Sequence, residues 1–207
     1  MNAAKTEIYR AILVEIKHRI EAIDLVLDRA VQMRAKIAEE HCYLQLRMIC
    51  ENIAIGCLVL HGDALFASQK LMKAYEADRI LKGLAELHDK FYPQPIKHAP
   101  KDQPLVHLTE GFLTKDELCS LWSTCGGKLH RGSARAVIKG EQPLALHRVQ
   151  YWRNRIVTLL DRHIVLSKDE VTLCHFGMND GQGRVHSSVC LRLDADGNLP
   201  NHQPVAT

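Results

Sequence analysis

Arg47 and Glu51 stand four residues apart in LQLRMICENIAIGCLVLHGD (Leu44 to Asp63), a stretch otherwise apolar on nearly every face. On a helix that spacing makes them neighbours. In so apolar a helix both charges are at least half buried, and an unpaired buried ion is costly, so each must face the other or a group placed close by. Two readings fit: a structural ion pair that fixes the helix register, or an Arg47 that holds a phosphate while Glu51 orients it. His130 and Arg131 form a second constellation. They follow Gly126-Gly127 and precede Gly132, which puts an imidazole suited to proton transfer and a guanidinium suited to phosphate on backbone that can move. A helix-capping His130, or one bonded to Glu51 inside a bundle, fits the same residues. His61 has the same ambiguity.

The third constellation is basic. Lys128, Arg131, Arg135, Lys139, Arg148, Arg153, Arg155 and Arg162 face only Glu141 and Asp161 between Lys128 and His163, and Tyr151 and Trp152 are interleaved. Cations for phosphates and rings for stacking are what a nucleic-acid face requires. Lys128, Arg135, Arg148, Arg153 and Arg155 are the candidate nucleic-acid-binding residues; a solvated helix face with Trp152 in the core is the alternative. His175 and His186 are the remaining pair. Without a third evident ligand, no metal is expected there, and nothing in the chain implies a cofactor.

These residues must be positioned by a helical framework. The chain has 207 residues with 46% hydrophobic content, enough for a real core, and its net charge of +3 is too small to imply nucleic acid or an acidic membrane by itself. Seven cysteines, an odd number with no C-x-x-C spacing, read as reduced cytosolic thiols. MNAAKTEIYR runs into Glu15 and Lys17 without an apolar signal region, and the longest apolar run, Ile53 to Leu60, is short for a bilayer. The expectation is a soluble cytoplasmic protein with no membrane partner.

From Thr6 to about Leu60 the chain has no proline and one glycine, so it reads as one helical rod or two, with the likeliest bend in the polar section Arg34 to Glu40. His61-Gly62-Asp63 ends the apolar helix, and a third helix runs from Ala64 to just before FYPQP. Pro93, Pro95, Pro100 and Pro104 make Phe91 to Gly111 an extended linker. Thr114 and Glu117 form a capping box for a fourth helix, which Gly126-Gly127 should loosen or kink. A fifth helix starts near Pro143. Beyond Arg162 the period becomes two: strands at Ile164 to Leu166, Val171 to Met178 and Arg184 to Leu193. A tight turn at Asp180-Gly181 would put His175 opposite His186, with Cys174, Phe176, Val185 and Val189 on the covered face. The fold class is mainly α: a bundle of about five helices over 1–162, a small C-terminal antiparallel sheet over 163–194 and a polar tail over 195–207.

HCYLQLRMICENIAIGCLVLHGD (His41 to Asp63), ADRILKGLAELHDKFYPQP (Ala77 to Pro95) and LWSTCGGKLHRG (Leu121 to Gly132) together resemble a group of uncharacterised bacterial and mobile-element proteins and, more distantly, the HEPN superfamily of helical bundles. The resemblance covers about Ala38 to Gly132 and the helix after it. It implies a homodimer, found with a protein partner in toxin-antitoxin or antiviral systems, and often a metal-independent ribonuclease with an arginine and a histidine separated by four to six intervening residues. Cys125, Thr124 and Ser123 stand where an arginine before His130 would be, a departure from the pattern, and the hypothesis is that Arg47 reaches His130 across the bundle in its place. Arg34 and His41 also fit the spacing, with Ala35 in place of the polar neighbour.

The reading is therefore an RNA-directed protein of a bacterial or phage conflict system, with His130, Arg47, Glu51 and Arg131 as candidate catalytic residues of a metal-independent endoribonuclease. The rival is a non-catalytic module, an inhibitor, antitoxin or adaptor, in which Arg47, Glu51 and His130 form a structural network.

Overall fold

The computed structural model describes residues 3–61, 74, 76–97, 106–130, 146–167 and 172–191. Five described helices, α1 (Ala3–Leu27), α2 (Ala35–His61), α3 (Ala77–Leu87), α4 (Lys115–Leu129) and α5 (Leu146–Leu160), surround a core built on α2. Four short strands, β1 (Gln94–Pro95), β2 (Arg162–Leu166), β3 (Thr172–Gly177) and β4 (His186–Leu191), form one antiparallel sheet in the order β1-β2-β3-β4. The mainly α architecture is the one expected. The third helix begins at Ala77 and not as one run from Ala64, since Glu76 is its extended N-cap and Ala74 is not helical; residues 62–73 and 75, the fifth helix before Leu146 and the tail lie outside the described residues.

Helix α2 touches all four other helices, and Leu46, Ile49, Cys50, Ile53, Ala54 and Cys57 are buried along it. By length and composition it is apolar enough to cross a bilayer, but 61% of its most apolar window is buried, the pattern of a core helix. Gly56 lets α1 come close: a Cβ there would lie 2.7 Å from the Tyr9 ring. Tyr9 in turn is held. Its ring packs on Phe176 at 4.5 Å, and its hydroxyl lies 2.9 Å from His163 Nε2. His163 Nδ1 lies 3.1 Å from the Leu160 carbonyl, an acceptor, so Nδ1 carries the proton and the Tyr9 hydroxyl donates to Nε2. This buried bond ties α1 to the sheet.

Four further expectations are corrected. The break between the first two helices falls over residues 28–34, ahead of the expected section except for Arg34 itself: Arg29 N–H bonds to Val26 O and Ala30 N–H to Leu25 O around a left-handed Arg29 at φ 58°. That is a Schellman stop with an arginine where glycine is usual, so no residue type marked it. The double glycine does not break α4, which continues to Leu129 because Leu118, Leu121 and Cys125 are fully buried against the bundle. The proline-rich linker is partly strand: Gln94 and Pro95 pair with Ile164 and His163, at the sheet edge where a missing N–H is tolerated. The hairpin is shifted by two residues, with Gly177 opposite His186 and His175 opposite Ser188.

The hairpin loop is longer than a two-residue turn because its own side chains build it. Asn179 Oδ1 accepts from Gly181 and Gly183 N–H, Asp180 Oδ1 accepts from Gln182 and Arg184 N–H, and both glycines have positive φ. A shift of two preserves which face each residue occupies. Cys174, Phe176 and Val185 are covered as expected, whereas Val189, on edge strand β4, is 54% exposed.

Candidate functional site

Glu39, Tyr43, Arg47 and Glu51 recur every fourth residue on α2 and so form one stripe, and α4 lies along it with its C-terminal end beside Glu39. The capping box predicted for α4 is present: Thr114 Oγ1 accepts from Glu117 N–H, and the Glu117 carboxylate accepts from Thr114 N–H. Antiparallel packing then interleaves the two helices. Lys128 reaches Glu39 at 3.5 Å and lies over the Tyr43 ring at 5.6 Å; Gly126 faces Arg47; Trp122 meets Arg47 and Glu51.

Arg47 is held on three sides. Its Nε donates to Glu51 Oε1 at 3.2 Å, its guanidinium lies 4.5 Å from the Trp122 ring centroid, and a Cβ on Gly126 would come within 2.9 Å of its Nη1. Trp122 Nε1 donates to the same Glu51 oxygen at 2.9 Å, so one carboxylate fixes both the cation and the ring beneath it. The pair expected from spacing is thus real, with its side chains 26% and 16% exposed, too open for a sealed core pair. Both Nη groups make no hydrogen bond to a described residue and remain donors. Charge spreads into the surrounding groups. Burial pushes the Cys125 thiol up to about 12 and Arg47 opposes the rise; burial also raises Cys50.

His130 caps α4. Its backbone N–H bonds to the Gly126 carbonyl at 3.2 Å, and its side chain is exposed, with no hydrogen bond to Glu51. Gly126, which seats Arg47, lies one helical turn before His130, and the bond between Gly126 and His130 is a backbone one that leaves the imidazole unplaced relative to Arg47. Arg131 and Arg135 lie outside the described residues.

The described basic candidates divide. Lys128 is neutralised by Glu39, a buried carboxylate that Lys36 also approaches. Arg153 grips Asp24 through two bonds of 2.8 and 2.6 Å, and Arg155 binds Glu117 at 2.5 Å. Arg148 alone among these described residues is exposed with no ion pair, close enough to Tyr43 to oppose the upward shift that burial and Glu39 impose on that phenol. Two described cavities, of about 250 and 340 Å³, are lined by Asp24, Arg153 and neighbours and by Tyr92, Phe112, His107 and neighbours. Neither includes Arg47, Glu51 or His130.

Two histidine pairs stand apart from this site. His61 and His88 lie with ring centroids 4.9 Å apart at the ends of α2 and α3, and burial takes His61 down to about 4. His175 and His186 remain 5.7 Å apart, diagonal across the sheet. Among the described residues no three or more ligating side chains gather as a metal centre. Sequence reasoning gave Trp122 no role at the site and took Gly126 for part of a hinge. The four-residue recurrence of Glu39, Tyr43, Arg47 and Glu51 was the available signal.

No protein-family model matches the chain, and no curated protein or solved structure matches it significantly. Function must be read from the site.

Proposed function

We propose that this chain is an RNA-directed protein that grips a backbone phosphate where α2, α4 and α5 meet. The observation that carries the reading is Arg47, oriented by Glu51 and Trp122 while neither Nη group is bonded to a described residue. A fork of two aligned donors suits the oxygens of a phosphate, and fixing the fork in advance removes much of the ordering cost of binding. Arg148, which has no ion pair with a described residue and lies near Tyr43 on the neighbouring helix, supplies a second cation. The likeness to HEPN bundles supports placing the protein in a cytoplasmic conflict or toxin-antitoxin system, acting as a homodimer with a protein partner.

The exposed His130 at the end of α4, the helix whose Trp122 and Gly126 seat Arg47, supports a catalytic form of this reading, a metal-independent endoribonuclease. The 2′-oxygen would attack the adjacent phosphorus while the P–O5′ bond breaks. His130 would move the 2′ proton toward the leaving 5′-oxygen, and Arg47, oriented by Glu51, would steady the phosphate with Arg131. The half-buried Arg47–Glu51–Trp122 contact, with neither described cavity around it, favours the second reading, a non-catalytic binding module.

One experiment separates them. Wild type and His130→Ala are incubated with total RNA in EDTA, and retention of RNA by each is measured in parallel. Cleavage by the wild type alone, with both proteins equally folded, makes it a ribonuclease. Retention without cleavage leaves the binding module, and neither retention nor cleavage refutes the RNA reading.

A further inference from the structure

Tyr151 is 50% exposed on α5, yet its ring is not loose. The Arg155 guanidinium lies over it at 5.4 Å, and Arg155 is itself pinned by the 2.5 Å bond to Glu117, the residue that closes the capping box of α4. Trp152 meets the Tyr151 ring edge-on, with centroids 4.9 Å apart and planes at 74°. An exposed aromatic backed by a fixed cation and buttressed by a second ring is preorganised, so little ordering cost remains for a further group stacking on it. Arg148, Tyr151 and Arg155 follow at three- and four-residue steps, which places the ring and Arg148, a cation with no ion pair among the described residues, on one stripe of the helix.

We infer that Tyr151 is a base-stacking subsite for an unpaired nucleotide, with Arg148 holding the phosphate beside it. The inference rests on the RNA-directed reading and adds the class of RNA: a single strand, because bases within a duplex are already stacked on one another and offer no free face to a protein ring. Every base has a flat face, so the subsite is tolerant of sequence. The occupant is nucleic acid rather than an apolar protein surface because the ring is flanked along its stripe by arginines and not by other exposed apolar side chains.

Fluorescence anisotropy with a labelled oligouridylate and with an RNA duplex of equal length tests this on the full chain. The wild type should prefer the single strand. Tyr151→Ala should weaken single-strand binding about tenfold or more while leaving its salt dependence and the duplex affinity unchanged; Tyr151→Phe, which keeps the ring, should bind as the wild type does. Circular dichroism melts establish that these surface variants remain folded. Wild-type affinity in Tyr151→Ala, together with weakened binding in Arg47→Gln and Arg148→Gln, would overturn the subsite and leave the RNA reading standing. A duplex bound as tightly as the single strand would also overturn it. A wild type that binds neither RNA would refute both.

Discussion

Replacing Gly126 by alanine should raise the intrinsic stability of α4 and impair the phosphate grip in the same molecule. Alanine in a helix interior is favoured over glycine by about 0.5–1 kcal/mol. At position 126 the new Cβ would stand 2.9 Å from Arg47 Nη1, several tenths of an ångström inside an ordinary contact, so the guanidinium must swing away. Leaving its place over Trp122 costs roughly 0.5–1 kcal/mol, and the two terms nearly cancel. Gly127 is the matched control, since a Cβ there meets nothing within 4 Å. Gly127→Ala should keep the helix gain alone, a rise of about 2–4 °C or less in the unfolding midpoint for a chain of this size. Gly126→Ala should melt close to the wild type. Single-stranded RNA binding, measured by anisotropy at fixed salt, should be unchanged in Gly127→Ala and weakened about fivefold in Gly126→Ala, the equivalent of ~1 kcal/mol of misaligned contact. Equal RNA affinity in the two variants would refute the argument that Gly126 exists to seat Arg47.

At Gly56 the same substitution should act in the opposite direction on stability. The Cβ would lie 2.7 Å from a Tyr9 ring clamped by His163 and Phe176, so Gly56→Ala should cost about 1–3 kcal/mol in urea unfolding; a neutral effect would mean that α1 moves freely on α2. Acid should destabilise the fold through its buried imidazoles. Burial holds His163 and His61 at about 4, below the usual 6.5, so both are neutral when folded and the unfolded chain binds their protons first. Stability from them is full above about pH 6.5 and is lost as pH falls toward 4, each accounting for roughly 2 kcal/mol at about pH 5. Urea unfolding at the two pH values checks this, and a His163→Asn variant should show a smaller fall; an equal fall would place the sensitivity elsewhere.

The parts of this molecule governed by periodicity and capping were legible in the sequence. The apolar run around Arg47 and Glu51 announced a central helix, Thr114 and Glu117 announced the start of α4, and the change of period after Arg162 announced the sheet. What escaped depends on contacts between distant segments or on residues used against type. Arg29 ends α1 in a conformation normally given to glycine. Gln94 and Pro95 become a strand only because β2 offers an edge. The hairpin loop is lengthened by Asn179 and Asp180 bonding to their own backbone. At the site, the partnership of Arg47 with Glu51 was a matter of spacing and could be read. Its third member, Trp122, is 71 residues from Glu51, and only the packing of α4 brings it there. The basic run was visible as composition, but which of its cations are spent depended on Asp24, Glu39 and Glu117, each on another helix.

Everything proposed about function turns on whether the free face of Arg47 meets a phosphate. The direct measurement is RNA affinity as a function of salt for the wild type and Arg47→Gln, with unfolding curves to establish equal folding. If Arg47 engages a phosphate, the variant binds more weakly and its slope of log affinity against log salt is shallower by about 0.7–1, the signature of one lost contact. Identical affinity and slope in the two proteins would show that Arg47, Glu51 and Trp122 serve only to join α2 to α4, and the account of the site would fall.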